Sequence, residues 1–271
     1  MNDPYEEREW QFIVRILEGL GFNVAAYKRP QLERRLKSFI NREGFLSVEA
    51  FLTAIRREPA LYRRFHTYLT IHVTEFFRDP PYWMRFAGVI QTIPQHRFRI
   101  WSAGCSWGAE PVTAALMLEE MGRQYEIVAT DSDEVVLETA RQGVYAQADY
   151  ERILQSYRKY FRLRGSQWVL GPLTSGNIIY QRHDLAADAP LGSFDMVICR
   201  NLIIYFKGDV RTRVLRQLSD SLRAGGLLFL GATETFLEYA DLGFEVVAPS
   251  IFRKKGDARR AIPTKVYTSS P

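Results

Sequence analysis

The stretch from Arg99 to Asp131, RIWSAGCSWGAEPVTAALMLEEMGRQYEIVATD, constrains this chain more than any other. An apolar strand, RIWSA, runs into a turn of small residues (Ala103, Gly104, Cys105, Ser106, Gly108) and then into a helix. A second strand, EIVAT, follows and ends on the acid Asp131. Strand, small-residue turn, helix, strand and acid form the opening half of a doubly wound α/β fold. Glycines in the turn let the backbone pass close to a ligand, and the acid can hold both hydroxyls of a ribose. The pattern predicts an adenosine-containing ligand before it says which one.

The alternation continues. FDMVICR and GLLFLGA read as further strands, with helices over 110–121, 134–141 and 209–223. Strand and helix in turn imply a mainly parallel sheet covered on both faces. Residues 246–253, after Gly243, can supply a late antiparallel strand. The stretch 161–182 behaves differently: QWVLG and NIIYQ are short β-like pieces broken by Gly165, Gly171, Pro172 and Gly176, the pattern of a small β insert. From Gly256 the chain is polar and aperiodic, and 256–271 is expected to be a disordered tail.

Residues 1–72 carry no strand pattern. Phe12, Ile13, Ile16, Leu17 and Leu20 recur at helical spacing and stop at Gly21. PQLERRLKSFINREG opens on Pro30 and closes on Gly44, Ser47 precedes VEAFLTAIRRE, and Pro59 opens a segment through Leu69. The expectation is an all-α N-terminal domain (1–72) followed by an α/β domain (73–255). Between Phe22 and His72 there are ten Lys and Arg against four Glu, whereas the whole chain carries a net charge of only +5. A basic block on a balanced chain suggests an acidic partner, either nucleic acid or an acidic protein helix, or simply a solvated helical face.

At 271 residues, with 46% apolar and 25% charged side chains, the composition is that of an ordinary globular protein. Cys105 and Cys199 lack metal-ligand spacing and read as reduced thiols of a cytoplasmic protein. His66, His72, His96 and His183 show no metal spacing either, so no metal is expected. MNDPYEEREW lacks the apolar run of a signal peptide, and no stretch approaches the length of a membrane span.

Four segments carry the chemistry: TEFFRDP (74–80), WSAGCSWGAEP (101–111), ATDSD (129–133) and CRNLIIYF (199–206). In this order, behind a basic helical domain, they resemble the chemotaxis receptor methyltransferases of the CheR type over most of the chain. The resemblance implies a Rossmann-like class I methyltransferase domain with a small β insert, using S-adenosyl-L-methionine as its cofactor. The implied activity is methyl transfer to glutamate side chains of receptor signalling helices. By position, it implies that His72, Thr74 and Arg78 lie over the cofactor and that Ala103 and Gly104 form the turn beneath it. Glu110 would serve its amino-acid end and Asp131 its ribose. Asp184 and Leu185 would flank the adenine, and Cys199 and Arg200 would border the pocket. Arg78 and Tyr205 would be the catalytic pair, with Tyr205 facing the transferable methyl.

The sequence departs from the family pattern at four places. Ala109 replaces the first of two acids, Trp107 stands where a small residue is usual, and His72 and Asp184 replace frequent asparagines. The basic helices would dock on the receptor, and the enzyme is expected to be a cytoplasmic monomer with neither nucleic acid nor membrane as partner. Two other readings remain open at this point: a nucleic-acid methyltransferase, invited by the basic charge, and a non-catalytic module that binds the cofactor or its demethylated product.

Overall fold

The computed structural model describes residues 5–20, 22, 24, 28–69, 74–94 and 97–256. The chain divides into two compact units, residues 1–72 with 205–211, and residues 73–204 with 212–271.

The first unit is helical: α1 (Glu7–Gly19), α2 (Arg29–Arg42), α3 (Val48–Arg57) and α4 (Pro59–Leu69). Each helix follows from a local signal. Pro30 sits in the first turn of α2, where a missing N–H costs nothing. The Ser47 hydroxyl caps α3 by accepting from Ala50 N–H at 3.2 Å. The apolar stripes meet in a core built on Phe39, Phe51 and Phe65, whose ring centroids lie 4.9–5.7 Å apart and edge to face. That geometry places the positive ring edges on the negative faces.

The second unit contains α5 (Pro80–Gln91), β1 (Arg97–Ala103), α6 (Ala109–Glu120), β2 (Gln124–Asp131), α7 (Glu134–Gln142), β3 (Val144–Tyr145), α8 (Gln147–Glu151), β4 (Phe161–Arg164), β5 (Gln167–Leu170), α9 (Pro172–Ser175), β6 (Ile178–Arg182), β7 (Phe194–Cys199), α10 (Gly208–Asp220, whose first residues group with the helical unit), β8 (Leu222–Leu230), β9 (Phe244–Ala248) and β10 (Ile251–Lys254). Seven strands form one sheet in the order β6-β2-β1-β7-β8-β10-β9. The first five run parallel, and β10 and β9 close the sheet antiparallel. From β1 the chain works outward through β2 to β6, then returns to place β7 on the other side of β1. The strand order therefore reverses between β1 and β7, and a crevice opens at the carboxyl ends of those strands.

Two features differ from the sequence expectations. NIIYQ does not belong to the insert: as β6 it extends the main sheet, pairing parallel with β2 from Ile127↔Ile178 to Asp131↔Arg182. Burying Ile178 against the large core outweighs a local hairpin. The insert is instead a three-stranded sheet, β3-β5-β4, in which only QWVLG plays its expected part. The helix before β8 stops at Asp220, and Leu222 already lies in the strand. In the same unit α5 carries Trp83 and Phe86 into the core, where Trp83 packs on Phe86 and Phe229 at 5.3 Å. The expected tail falls on residues 257–271, outside the described residues. Among the described residues no helix is long and apolar enough to cross a membrane.

Candidate active site

The strand register brings the sequence candidates to one edge. Ala103 pairs with Thr130, Asp131 with Arg182, Ser102 with Ile198 and Cys199 with Leu230, so the carboxyl ends of β1, β2, β6, β7 and β8 lie side by side. The glycine turn leaves β1 with the Gly104 and Cys105 amides both donating to the Thr130 carbonyl at 2.8 Å. Gly104 has φ +80°, and a Cβ there would come within 2.5 Å of the Leu202 side chain. Gly108 has φ +93°, and its Cβ would lie 2.8 Å from the Tyr180 hydroxyl. Both positions require glycine.

Asp131 is fixed by its own neighbourhood. Its Oδ2 accepts Ser106 N–H at 2.9 Å and its Oδ1 accepts Asp133 N–H at 3.1 Å. A carboxylate has about four acceptor sites, and these two bonds set the direction in which both oxygens point. His183 N–H donates to the Asp131 carbonyl at 3.0 Å, which draws the following Asp184 and Leu185 to the same edge. Asp184 shapes that loop: its Oδ1 accepts Ala186 N–H and its N–H donates to Asp188 Oδ2, each at 2.8 Å. Leu185 is buried beside it.

On the other side of the turn lies a set of buried charges. Glu110, in the first turn of α6 and 8% exposed, accepts the Ser102 hydroxyl at 2.8 Å. Burial pushes its carboxyl up to about 7, although Arg200 and the Ser102 hydrogen bond pull it down. The Arg200 side chain is only 2% exposed. Its guanidinium donates to the Arg78 carbonyl at 2.8 Å and to Asp79 Oδ2 at 3.2 Å. It also sits 5.1 Å from the ring centroids of both Trp83 and Phe229. Burial lowers its pKa, and Glu110 and Asp79 oppose that shift. The segment it holds is tightly turned: Phe77 has φ +53° and Asp79 φ +56°. Such backbone persists in non-glycine residues only when its surroundings fix it. Phe77 N–H is tied to Thr113 Oγ1 at 3.1 Å, and Arg200 supplies the second tie.

The structure thus gathers Arg78, Ala103, Gly104, Glu110, Asp131, Asp184, Leu185, Cys199 and Arg200 at the crevice, with the half-buried Thr74 opening the segment that leads to Arg78. His72 lies outside the described residues. Tyr205 ends a short 3₁₀ turn and groups with the helical unit, where its carbonyl accepts Lys28 N–H at 3.2 Å. Cys199 is fully enclosed, and burial raises its thiol pKa, so it serves as an apolar wall. The Trp107 ring is taken up by an aromatic cluster, 5.5 Å from Phe76 and 6.0 Å from Tyr145.

Sequence reasoning missed Ser102, Asp79, Asn201 and Glu234. Asn201 has φ +60°, and its Oδ1 is buried with no hydrogen-bond partner among the described residues. Asp131 ends β2 itself, whereas Glu234 lies beyond the end of β8 at Leu230, outside the reach of the rule that singles out an acid at a strand end.

A mainly parallel sheet with a glycine turn, an acid ending its second strand and a crevice at its switch point defines the class of α/β folds that bind nucleoside cofactors. Residues 72–249 match the CheR methyltransferase SAM binding domain, and residues 11–70 match the CheR methyltransferase all-alpha domain. The chain is 32% identical to the chemotaxis protein methyltransferase of Listeria monocytogenes over 89% of its own length and 95% of that protein's. It is 33% identical to the Listeria innocua counterpart over the same shares. Chemotaxis protein methyltransferase 2 of Pseudomonas aeruginosa is 32% identical, covering 84% of this chain and 86% of the relative. The chain belongs to the CheR methyltransferase family, and its sheet unit is a domain for S-adenosylmethionine. Neither a nucleic-acid substrate nor a silent binding module finds support among these relatives.

The residues present fit that cofactor. Asp131 offers two pre-oriented oxygens, Gly104 leaves no side chain in the turn, and Leu185 adds an apolar surface. Glu110 and the Asn201 amide oxygen are buried acceptors suited to an ammonium group.

Proposed function

We propose that this chain methylates glutamate side chains on the cytoplasmic helices of chemotaxis receptors, forming methyl esters. The cofactor, when bound, supplies an electrophilic methyl on a sulfonium. What the protein must add is small, because a glutamate side chain with a pKa of ~4.3 is ionised at neutral pH and needs no general base. Catalysis then rests on aligning the carboxylate with the methyl at about 3 Å and stripping its water. Asp131 holds the ribose and Asp184 with Leu185 shapes the adenine end. Thr74 approaches the cofactor from the segment before Arg78, and His72 is the further cofactor contact that the family resemblance implies. Arg78 is the cation that orients a carboxylate, since a guanidinium grips such groups as a fork. Tyr205 positions the reactants through its hydroxyl.

The observation that carries this reading is the Arg200 clamp. A buried arginine committed to the backbone of Arg78 makes sense when the exact placement of that cation matters to the chemistry. We propose further that the helical unit docks on the receptor. Arg34, Arg56 and Arg57 are exposed there, while Arg35 and Lys37 stack on Tyr68 and Tyr5 at 4.7 and 4.3 Å. The deciding experiment incubates the enzyme with methyl-labelled cofactor and receptor cytoplasmic fragments. Label that appears on receptor glutamates and is released by mild base supports the ester; label stable to base, or carried only by RNA, overturns it.

A further inference from the structure

Glu234 enters neither the resemblance nor the reaction, yet its side chain accepts four backbone N–H groups. Its Oε2 accepts Gly231 N–H at 2.6 Å and Asn201 N–H at 2.9 Å. Its Oε1 accepts Leu202 N–H at 2.9 Å and Ile203 N–H at 2.7 Å. All four partners are donors, so both oxygens act only as acceptors and the arrangement calls for the carboxylate form. Burial raises the carboxyl pKa, and the four N–H groups draw it back down.

The geometry explains what those bonds accomplish. Three consecutive amides, 201–203, leave the end of β7 where no helix or strand satisfies them, and Asn201 is held at φ +60°. One carboxylate collects all three and ties them to the end of β8 through Gly231. Gly231 has to be glycine, because a Cβ there would lie 2.8 Å from Asn201 N and 2.9 Å from Glu234 Oε2. The clamped segment carries the working surface on both sides. Leu202 packs against Gly104 in the cofactor turn, and Arg200, one residue upstream, holds the Arg78 turn.

We propose that Glu234 is a positioning residue for methyl transfer, a preformed anion clamp that fixes residues 200–203 so that the cofactor floor and the Arg78 turn keep one geometry. The proposal rests on the S-adenosylmethionine reading of the crevice, and the test separates the two. Binding of S-adenosylhomocysteine to the wild-type protein by calorimetry examines that reading alone.

The clamp is examined with Glu234→Gln, whose amide nitrogen cannot accept two of the four N–H groups. Lys254→Met serves as a control that removes equally local support, the Nζ bonds to the Ser219 and Leu222 carbonyls at 2.7 and 3.0 Å. Expected for Glu234→Gln is at least a fivefold weaker binding of S-adenosylhomocysteine and a raised KM for the cofactor, with the KM for the receptor fragment unchanged. Glu234→Asp, which keeps the charge, should recover part of the loss. Wild-type affinity in Glu234→Gln, or an equal loss in Lys254→Met, overturns the proposal. Should the glutamine variant fail to fold, hydrogen exchange in the cofactor-free wild type decides instead. Slow exchange of the 201, 202 and 203 amides supports a preformed clamp, and exchange at unprotected rates overturns it.

Discussion

The helical unit and the sheet unit use charge in opposite ways. In the helical unit most charges lie on the surface, in pairs such as Arg64 with Glu43 at 2.8 Å, or over half-buried rings, as Arg42 does over Tyr68 at 4.5 Å; Glu33, buried beside Arg29, departs from this. Exposed pairs of this kind contribute ~0–1 kcal/mol each and are screened by salt. In the sheet unit Arg200, Glu110 and Glu234 are buried charges, and each has named partners: Arg200 with Asp79, Glu110 with Ser102, Glu234 with four amides. Taking a charge out of water costs several kcal/mol unless it is met on all sides. Charge in the first unit therefore marks a surface that can meet a partner, and charge in the second marks a fixed geometry.

The contrast breaks most visibly at Arg200. Arg200→Met keeps much of the volume between Trp83 and Phe229 but removes the cation facing Glu110 and Asp79. We expect a loss of stability on the order of 3–5 kcal/mol by urea unfolding, because breaking a buried pair strands the remaining charge. Methyl transfer should fall with it as the Arg78 turn relaxes. A variant that unfolds like wild type would show that this charge belongs with the surface class.

Asp131→Asn comes next. The amide is isosteric but loses one acceptor and the negative charge, and charge-assisted hydrogen bonds are worth about 1.5–3 kcal/mol. Binding of S-adenosylhomocysteine should weaken by about ten- to a hundredfold, with the unfolding midpoint close to wild type. A normal affinity would remove Asp131 from the ribose site.

Glu110 gives a smaller effect with a defined sign. Its carboxyl sits at about 7 in the folded protein, above the ordinary carboxylate value near 4.5. Between those values the folded state binds the proton and the unfolded state does not. The contribution of this group to stability is therefore complete below about pH 4.5 and is lost as pH rises through 7. A cationic cofactor favours the ionised form, so its affinity should move the other way, rising about tenfold from pH 6 to 8 with release of a proton. Calorimetry in buffers of different ionisation heat would count that proton, and Glu110→Gln should abolish both the release and the slope.

How much of this was legible in the sequence follows the same division. The fold class was legible because glycine turns and strand-end acids are local: Gly104, Gly108 and Asp131 each have a backbone reason to be where they are. The helical unit was legible from its apolar spacing and its Ser47 and Pro30 starts. The destination of NIIYQ was not, since a short apolar strand fits a hairpin or a sheet edge equally well and only the β2 partner decides. Glu234 and the true use of Arg200 were hidden for a related reason. Their partners are backbone groups up to 122 residues away in the chain, and an amide or carbonyl leaves no trace in side-chain identity. The place of the Trp107 ring was not legible either, because its companions, Phe76 and Tyr145, are distant in sequence.

The smallest expected effect tests the other side of the comparison. Replacing Arg34, Arg56 and Arg57 together with glutamate changes only exposed side chains, and surface substitutions of this kind usually alter stability within about 0.5 kcal/mol each. Affinity for S-adenosylhomocysteine should be unchanged, because none of the three lies in the sheet unit. If the helical face meets an acidic receptor helix, the KM for the receptor fragment rises and the wild-type KM climbs with salt, while the variant's KM becomes nearly salt-independent. A KM untouched by both salt and charge reversal would mean that the basic excess is a solvated face. The acceptor would then be selected at the crevice alone, and the buried charges would carry specificity as well as geometry.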